Sequence, residues 1–183
     1  MQAMKHLCAI VLAGLALAGP ANSQSSFWRD STGRHVPETE SMRSKSDFAG
    51  SLLATTDEDW ERKWNTPPET KPSFNQAGVV AFGKKVFILS FIGNPKLDAL
   101  GNANVLCDFK ISDPAGKSAL SQKNVKCFVG RLKGNPYNLY LSDAVLTFAG
   151  DPGDRPGTWV VEVNLRDVNR QVDLPLRTSF QLK

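Results

Sequence analysis

Histidine is almost missing from this chain: of 183 residues only His6 and His35 are histidines. A Ser/His/Asp or Cys/His site needs its base held within ~3 Å of the nucleophile by rigid neighbours, and His35 lies in a polar stretch that offers none. Cysteine is nearly as scarce. Cys107 and Cys127, without a second pair or nearby histidines, cannot build a four-ligand zinc site, so no metal is expected. No Gly-rich loop joins a strand pattern to a helix pattern, which leaves phosphate without a cradle and implies no cofactor. No strand carries the base-flanked aromatic pair that single-stranded nucleic acid requires, so nucleic acid is not an expected partner. No apolar run reaches the ~20 residues of a spanning helix, so no transmembrane segment is expected in the mature chain.

What is present begins with an export signal. Lys5 and His6 precede an apolar run from Leu7 to Ala18, and Ala21 and Ser23 occupy the small-residue positions that a signal peptidase reads. Residues 1–23 are therefore expected to be a cleavable signal peptide and the mature protein to be periplasmic or secreted. Cys8 lies inside the apolar core and leaves with the signal. Cys107 and Cys127 remain as a pair in an oxidising compartment, which predicts a disulfide. The chain-entropy model gives a bridge over a loop of this size about 3 kcal/mol of stabilisation.

Charge is distributed unevenly. Residues 37–61 hold seven acids and two bases, whereas residues 84–133 hold nine bases and three acids. The basic region admits three readings: it meets an acidic envelope protein or an anionic envelope polymer, its lysines are solvated on outward strand positions, or the acidic segment docks on it within one molecule.

Along the chain, residues 24–55 are rich in Ser, Arg, Glu and Thr and read as a polar, poorly ordered arm. Residues 56–75 read as a short helix and a Pro-rich linker, with Thr56 as N-cap, Asp57, Glu58 and Asp59 in the first turn and Asn65-Thr66-Pro67-Pro68 as the stop. Trp60 and Trp64 share a face that so short a helix cannot bury alone, so it either caps the main domain or stays exposed for a partner or sugar.

From Gln76 to Lys183 the apolar period becomes two, with turn residues between short runs, which predicts an all-β antiparallel sandwich of about eight strands. Val86–Ile92 is apolar on both faces and so central. Val105, Cys107, Phe109 and Ile111 point inward, as do Val125, Cys127 and Val129, leaving Lys126 and Phe128 outward. Trp159 to Leu165 and Val172 to Leu182 form the clearest hairpin, and Pro175 must sit at an edge or bulge because it cannot donate to a ladder.

Pro156-Gly157-Thr158-Trp159-Val160-Val161-Glu162-Val163, then Arg166-Asp167 and a strand ending Thr178-Ser179-Phe180, resembles the final hairpin of bacterial exported domains of immunoglobulin-like type. Trp64-Asn65-Thr66-Pro67 and the turn Phe109-Lys110-Ile111-Ser112-Asp113-Pro114-Ala115-Gly116 are similar to uncharacterised envelope proteins of that kind. The resemblance covers about two thirds of the mature chain. It implies an immunoglobulin-like fold and a periplasmic location, with no activity.

The expected function is a non-enzymatic interaction module that binds an envelope partner through a sheet edge or basic face, with Lys84, Lys85, Lys110, Lys126, Phe128, Trp60 and Trp64 as candidate contacts. One alternative is a carbohydrate or small-ligand binding domain using exposed Trp28, Trp60 or Trp64. Another is an envelope hydrolase, which needs two carboxylates roughly 5–10 Å apart. Its candidates are Asp151 with Asp154, Glu162 with Asp167, and the Asp57–Glu61 cluster. Turn geometry and the helix dipole already explain the first and last, and a calcium role for Asp151 and Asp154 would need six or more oxygen ligands. The oligomeric state is left open.

Overall fold

Strict alternation makes the C-terminal hairpin the frame on which the rest is built. β9 (Gly157–Asp167) and β10 (Val172–Leu182) pair along their whole length, with Trp159, Val161, Val163 and Leu165 buried opposite Leu174, Leu176, Phe180 and Leu182. Each such side chain removed from water contributes about 1.5–3 kcal/mol before the cost of ordering it. The computed structural model describes residues 27–30, 32–67 and 72–183. The expected signal peptide lies outside these residues, as do positions 24–26 of the arm and 68–71 of the linker.

β5 (Asn102–Ser112) pairs with β9, and β6 (Ser118–Arg131) pairs with β5. A two-residue β3 (Val79–Val80) joins β10 in parallel, which gives one sheet the order β3-β10-β9-β5-β6. The other sheet runs β1 (Met42–Lys45), β2 (Phe48–Thr55), β4 (Lys85–Gly93), with β7 (Leu139–Leu141) and β8 (Leu146–Ala149) sharing the far side of β4. The molecule is almost entirely β, with two sheets facing across one core.

Residues 42–55, expected in a polar arm, instead form β1 and β2. β2 pairs with β4 from Ala49↔Gly93 to Thr55↔Phe87, and Phe48, Ala49, Leu52 and Ala54 are buried. The reason is size rather than hydrophobic pattern. A Cβ on Gly50 would lie 2.5 Å from Leu165 Cδ1 and close to Leu174 and Leu176, so a residue that reads as a break is a packing position.

β4 is central and covered on both faces. Val86, Ile88 and Ile92 enter the core between the sheets. Phe87, Leu89 and Phe91 point the other way, beneath α1 (Trp60–Trp64) and the segment after it: Trp60 packs on Phe87 at 6.2 Å, and Trp64 and Phe74 pack on Phe91 at 5.2 and 6.2 Å between ring centroids. Farther along the same face, Phe27 stands over Gly93, where a Cβ would meet its ring at 2.8 Å, and stacks on Tyr137.

Thr56 is not the N-cap. Asp59 holds that position without a side-chain capping bond, and Asp57 lies ahead of the helix. Asp57 is buried and accepts bonds from Lys63 Nζ at 2.8 Å, the Asn75 N–H at 2.8 Å and Asn75 Nδ2 at 2.7 Å. It therefore ties both ends of the α1 segment together and is more than a helix-dipole residue.

β6 departs from simple alternation. Its register against β5 shifts three times, each time with an extra residue on β6. Lys126 pairs with Leu106 while Phe128 pairs with Val105, so Cys127 is the extra residue between them. A bulge reverses which side chains face inward. Phe128, expected outward, therefore packs against the core and on Tyr140, and Val129, expected inward, is 46% exposed. Cys107 and Cys127 lie at disulfide distance on these neighbouring strands, Cα atoms 5.8 Å apart.

Two seams close the sides of the sandwich. The Arg177 N–H of β10 donates to Glu40 O at 2.8 Å, and the Asp143 N–H donates to Cys127 O at 2.8 Å. Pro175 shares the parity of Arg177 and Gln181, whose N–H groups point away from β9, so its missing donor costs the β9 ladder nothing. At one end of the sandwich Asp167, fully buried, accepts from the Lys96 N–H at 2.8 Å, the Arg170 N–H at 3.0 Å and Arg170 Nε at 3.3 Å. Arg170 in turn reaches Ser46 O and Asn94 O.

Candidate functional site

The expected contact residues do not form one surface. Lys84 and Lys85 occupy the β3–β4 turn, exposed beside Glu58 and Thr56 at a recess of about 310 Å³. Lys110 and Lys126 stand on the outward face of β5 and β6. Phe128 faces the core. Trp60 and Trp64 are half-buried on the opposite sheet, and Trp28 is buried. The exposed aromatic face considered for sugar is thus occupied by the protein's own Phe87 and Phe91.

The carboxylate pairs fare similarly. Asp151 and Asp154 bond within their own turn, the Asp151 N–H to Asp154 Oδ2 at 2.8 Å and the Asp154 N–H to Asp151 O at 2.9 Å. Glu162 points outward and Asp167 inward on the same strand, so they cannot flank a common substrate. Among the described residues no group of three or more His, Cys, Asp or Glu side chains could hold a metal ion. His35 is exposed and bridges to Arg29.

What the fold does assemble is a groove of about 440 Å³ across the outer face of the sheet β3-β10-β9-β5-β6. Adjacent strands supply its wall in register: Lys110 on β5 lies opposite Glu162 on β9, which lies opposite Arg177 on β10. Lys110 Nζ meets Glu162 at 3.0 Å, and Arg177 meets Glu40 at 3.5 Å. The next row, Asp108, Asn164 and Pro175, forms a lower floor. Beyond it, Arg166 joins Asp108 at 2.9 Å, Asp173 at 3.1 Å and Asn124 Oδ1 at 2.9 Å. The Asn164 amide, opposed by partial burial and assisted by Arg166, holds the Asp173 carboxyl below its usual range.

Two cations stand outside this pairing. Among the described residues Arg43 and Lys123 form no ion pair; Arg43 only donates to Pro175 O at 3.3 Å, and Lys123 is exposed on β6 at the other end of the groove. Glu162 and Asp108 each face a cation, so neither is placed as a free proton donor. Lys110 is thus the one expected contact residue that lines this groove. Asp108, Glu162 and Asn164 had legible outward parity, but their convergence depends on strand adjacency. Glu40 and Arg43 came from the segment expected to be an arm.

No family model matches the chain, and no curated protein matches it. Among solved structures it is similar to a family 123 glycoside hydrolase from Clostridium perfringens, with a TM-score of 0.42 and 10% identity over 73% of this chain and 27% of that one. It is similar to an alkylpurine DNA glycosylase from Pseudomonas fluorescens, with a TM-score of 0.41 and 14% identity over 75% and 30%. A CARDB domain from Pyrococcus furiosus, in complex with di-metal ions, gives a TM-score of 0.41 and 8% identity over 81% and 99%. The chain spans less than a third of the first two. Likenesses this remote have no bearing on function.

Proposed function

We propose that this chain is an exported, immunoglobulin-like β-sandwich, released from a signal peptide at residues 1–23, that serves as a non-enzymatic interaction module in the cell envelope. Its partner engages the outer face of the β3-β10-β9-β5-β6 sheet. The observation that carries this reading is the contrast between the two outer faces. One is covered by Trp60, Trp64 and Phe27, while the other presents a groove of about 440 Å³ edged by charged side chains on four paired strands.

The face is better suited than the edge. The open edge of β6 is broken by three bulges and carries Lys123 and Lys126, features that blunt an edge against strand addition. Export is supported by the Cys107–Cys127 pair, which suits an oxidising compartment.

Photo-crosslinking in the cell tests the reading. A photoreactive residue at Ser121, beside the groove, is expected to trap a partner in the envelope fraction, while one at Lys84 does not. Crosslinks from Lys84 and none from Ser121 would overturn it.

A further inference from the structure

We infer that the groove takes an extended acidic peptide segment, lying across the strands, whose carboxylates four residues apart meet Lys123 at one end and Arg43 at the other. This rests on the function proposed above and narrows it to a ligand chemistry.

The argument begins with charge left over after internal pairing. Lys110 is matched by Glu162, Arg177 by Glu40, and Asp108 by Arg166. The groove keeps two unmatched cations, Arg43 and Lys123, and no unmatched anion. Its ligand should be negative at two separated points, since like charge would be repelled and a neutral ligand would leave both cations unused.

Spacing sets the rest. From Lys123 on β6 to Pro175 on β10, the residue Arg43 touches, there are three inter-strand steps of ~4.8 Å, or ~14 Å in all. In an extended peptide, side chains four residues apart share a face and stand ~13 Å apart. The match fits a strand-like segment laid over Asn164 and Pro175, whose short side chains leave room above the sheet. A sugar is disfavoured, because the groove's one aromatic lining residue, Phe109, is buried and offers no ring to stack on.

Fluorescence anisotropy with the purified protein tests this. The probes are an eight-residue peptide with two glutamates four residues apart among Thr and Val, its glutamine and lysine counterparts, a version with the glutamates adjacent, and inorganic polyphosphate. At low salt the spaced glutamate peptide is expected to bind at least roughly tenfold more tightly than the glutamine and adjacent-glutamate peptides, and to weaken as salt rises. Arg43→Gln and Lys123→Gln should each weaken it by roughly two- to fivefold, with Lys84→Gln neutral. Equal binding of the glutamate and glutamine peptides, or indifference to both groove substitutions, overturns the inference. If only polyphosphate binds and it blocks crosslinking from Ser121, the peptide is wrong while the groove stands. If Ser121 gives no crosslink in cells either, both readings fall.

Discussion

Lys63 Nζ lies 2.8 Å from Asp57 Oδ2, and this ion pair holds down the short segment that carries Trp60 and Trp64 over the face of a sheet. Burial alone would raise the Asp57 carboxyl, but the Lys63 ammonium and the two Asn75 donors outweigh it and hold the pKa at about 2.

A carboxyl lowered from 3.8 to about 2 contributes stability that is fully present above the unfolded value and is lost as the pH falls through the folded one. Asp57→Asn should therefore cost about 1–3 kcal/mol at pH 6. The gap between variant and parent should shrink as the pH is lowered from about 4 to 2. Urea unfolding midpoints across that range check it; a gap independent of pH would refute the assignment.

Gly50 has no room for a side chain. Gly50→Ala is expected to destabilise by about 1–3 kcal/mol, as overpacked cores do, and Leu165→Val in the same chain should recover part of the loss because Leu165 Cδ1 is the nearest obstacle. Thermal melts of the two single variants and the double variant measure the coupling.

Replacing both Cys107 and Cys127 with Ala should lower stability by about 3 kcal/mol while leaving the fold intact. A reductant should weaken the parent protein in denaturant and leave the double variant unmoved. Free thiols in the native mature protein would remove the bridge from the account.

Asp167→Ala strips a buried acceptor from Arg170 and from the Lys96 N–H. A loss of about 3–5 kcal/mol is expected, with amide hydrogen exchange at Lys96 and Arg170 rising first. Unchanged exchange at both would show that the cluster does not hold that end of the sandwich together.

The hairpin of β9 and β10 was legible because eleven-residue strands repeat an apolar residue at every second position, a period no helix shares. β2 was not, because Ala49, Gly50 and Ser51 owe their burial to tight approach, which size-blind hydrophobic patterning misses. Phe128 was placed on the wrong face because a single extra residue at Cys127 inverts all that follows, and nothing local in Val125-Lys126-Cys127-Phe128 marks the insertion. The groove was half legible. Parity put Asp108, Lys110, Glu162 and Asn164 outward, but only pairing β5 with β9 and β9 with β10 makes them neighbours, and Arg43 arrives from a strand that had been read as arm.

The seams at Arg177–Glu40 and Asp143–Cys127, together with the kinked course of β6, bear on behaviour in a crowded compartment. Fibrils grow where one molecule offers a straight, unbroken row of main-chain groups to the next. Among the described residues no such row of any length is on offer, so copies of this chain packed side by side have no template on which to stack.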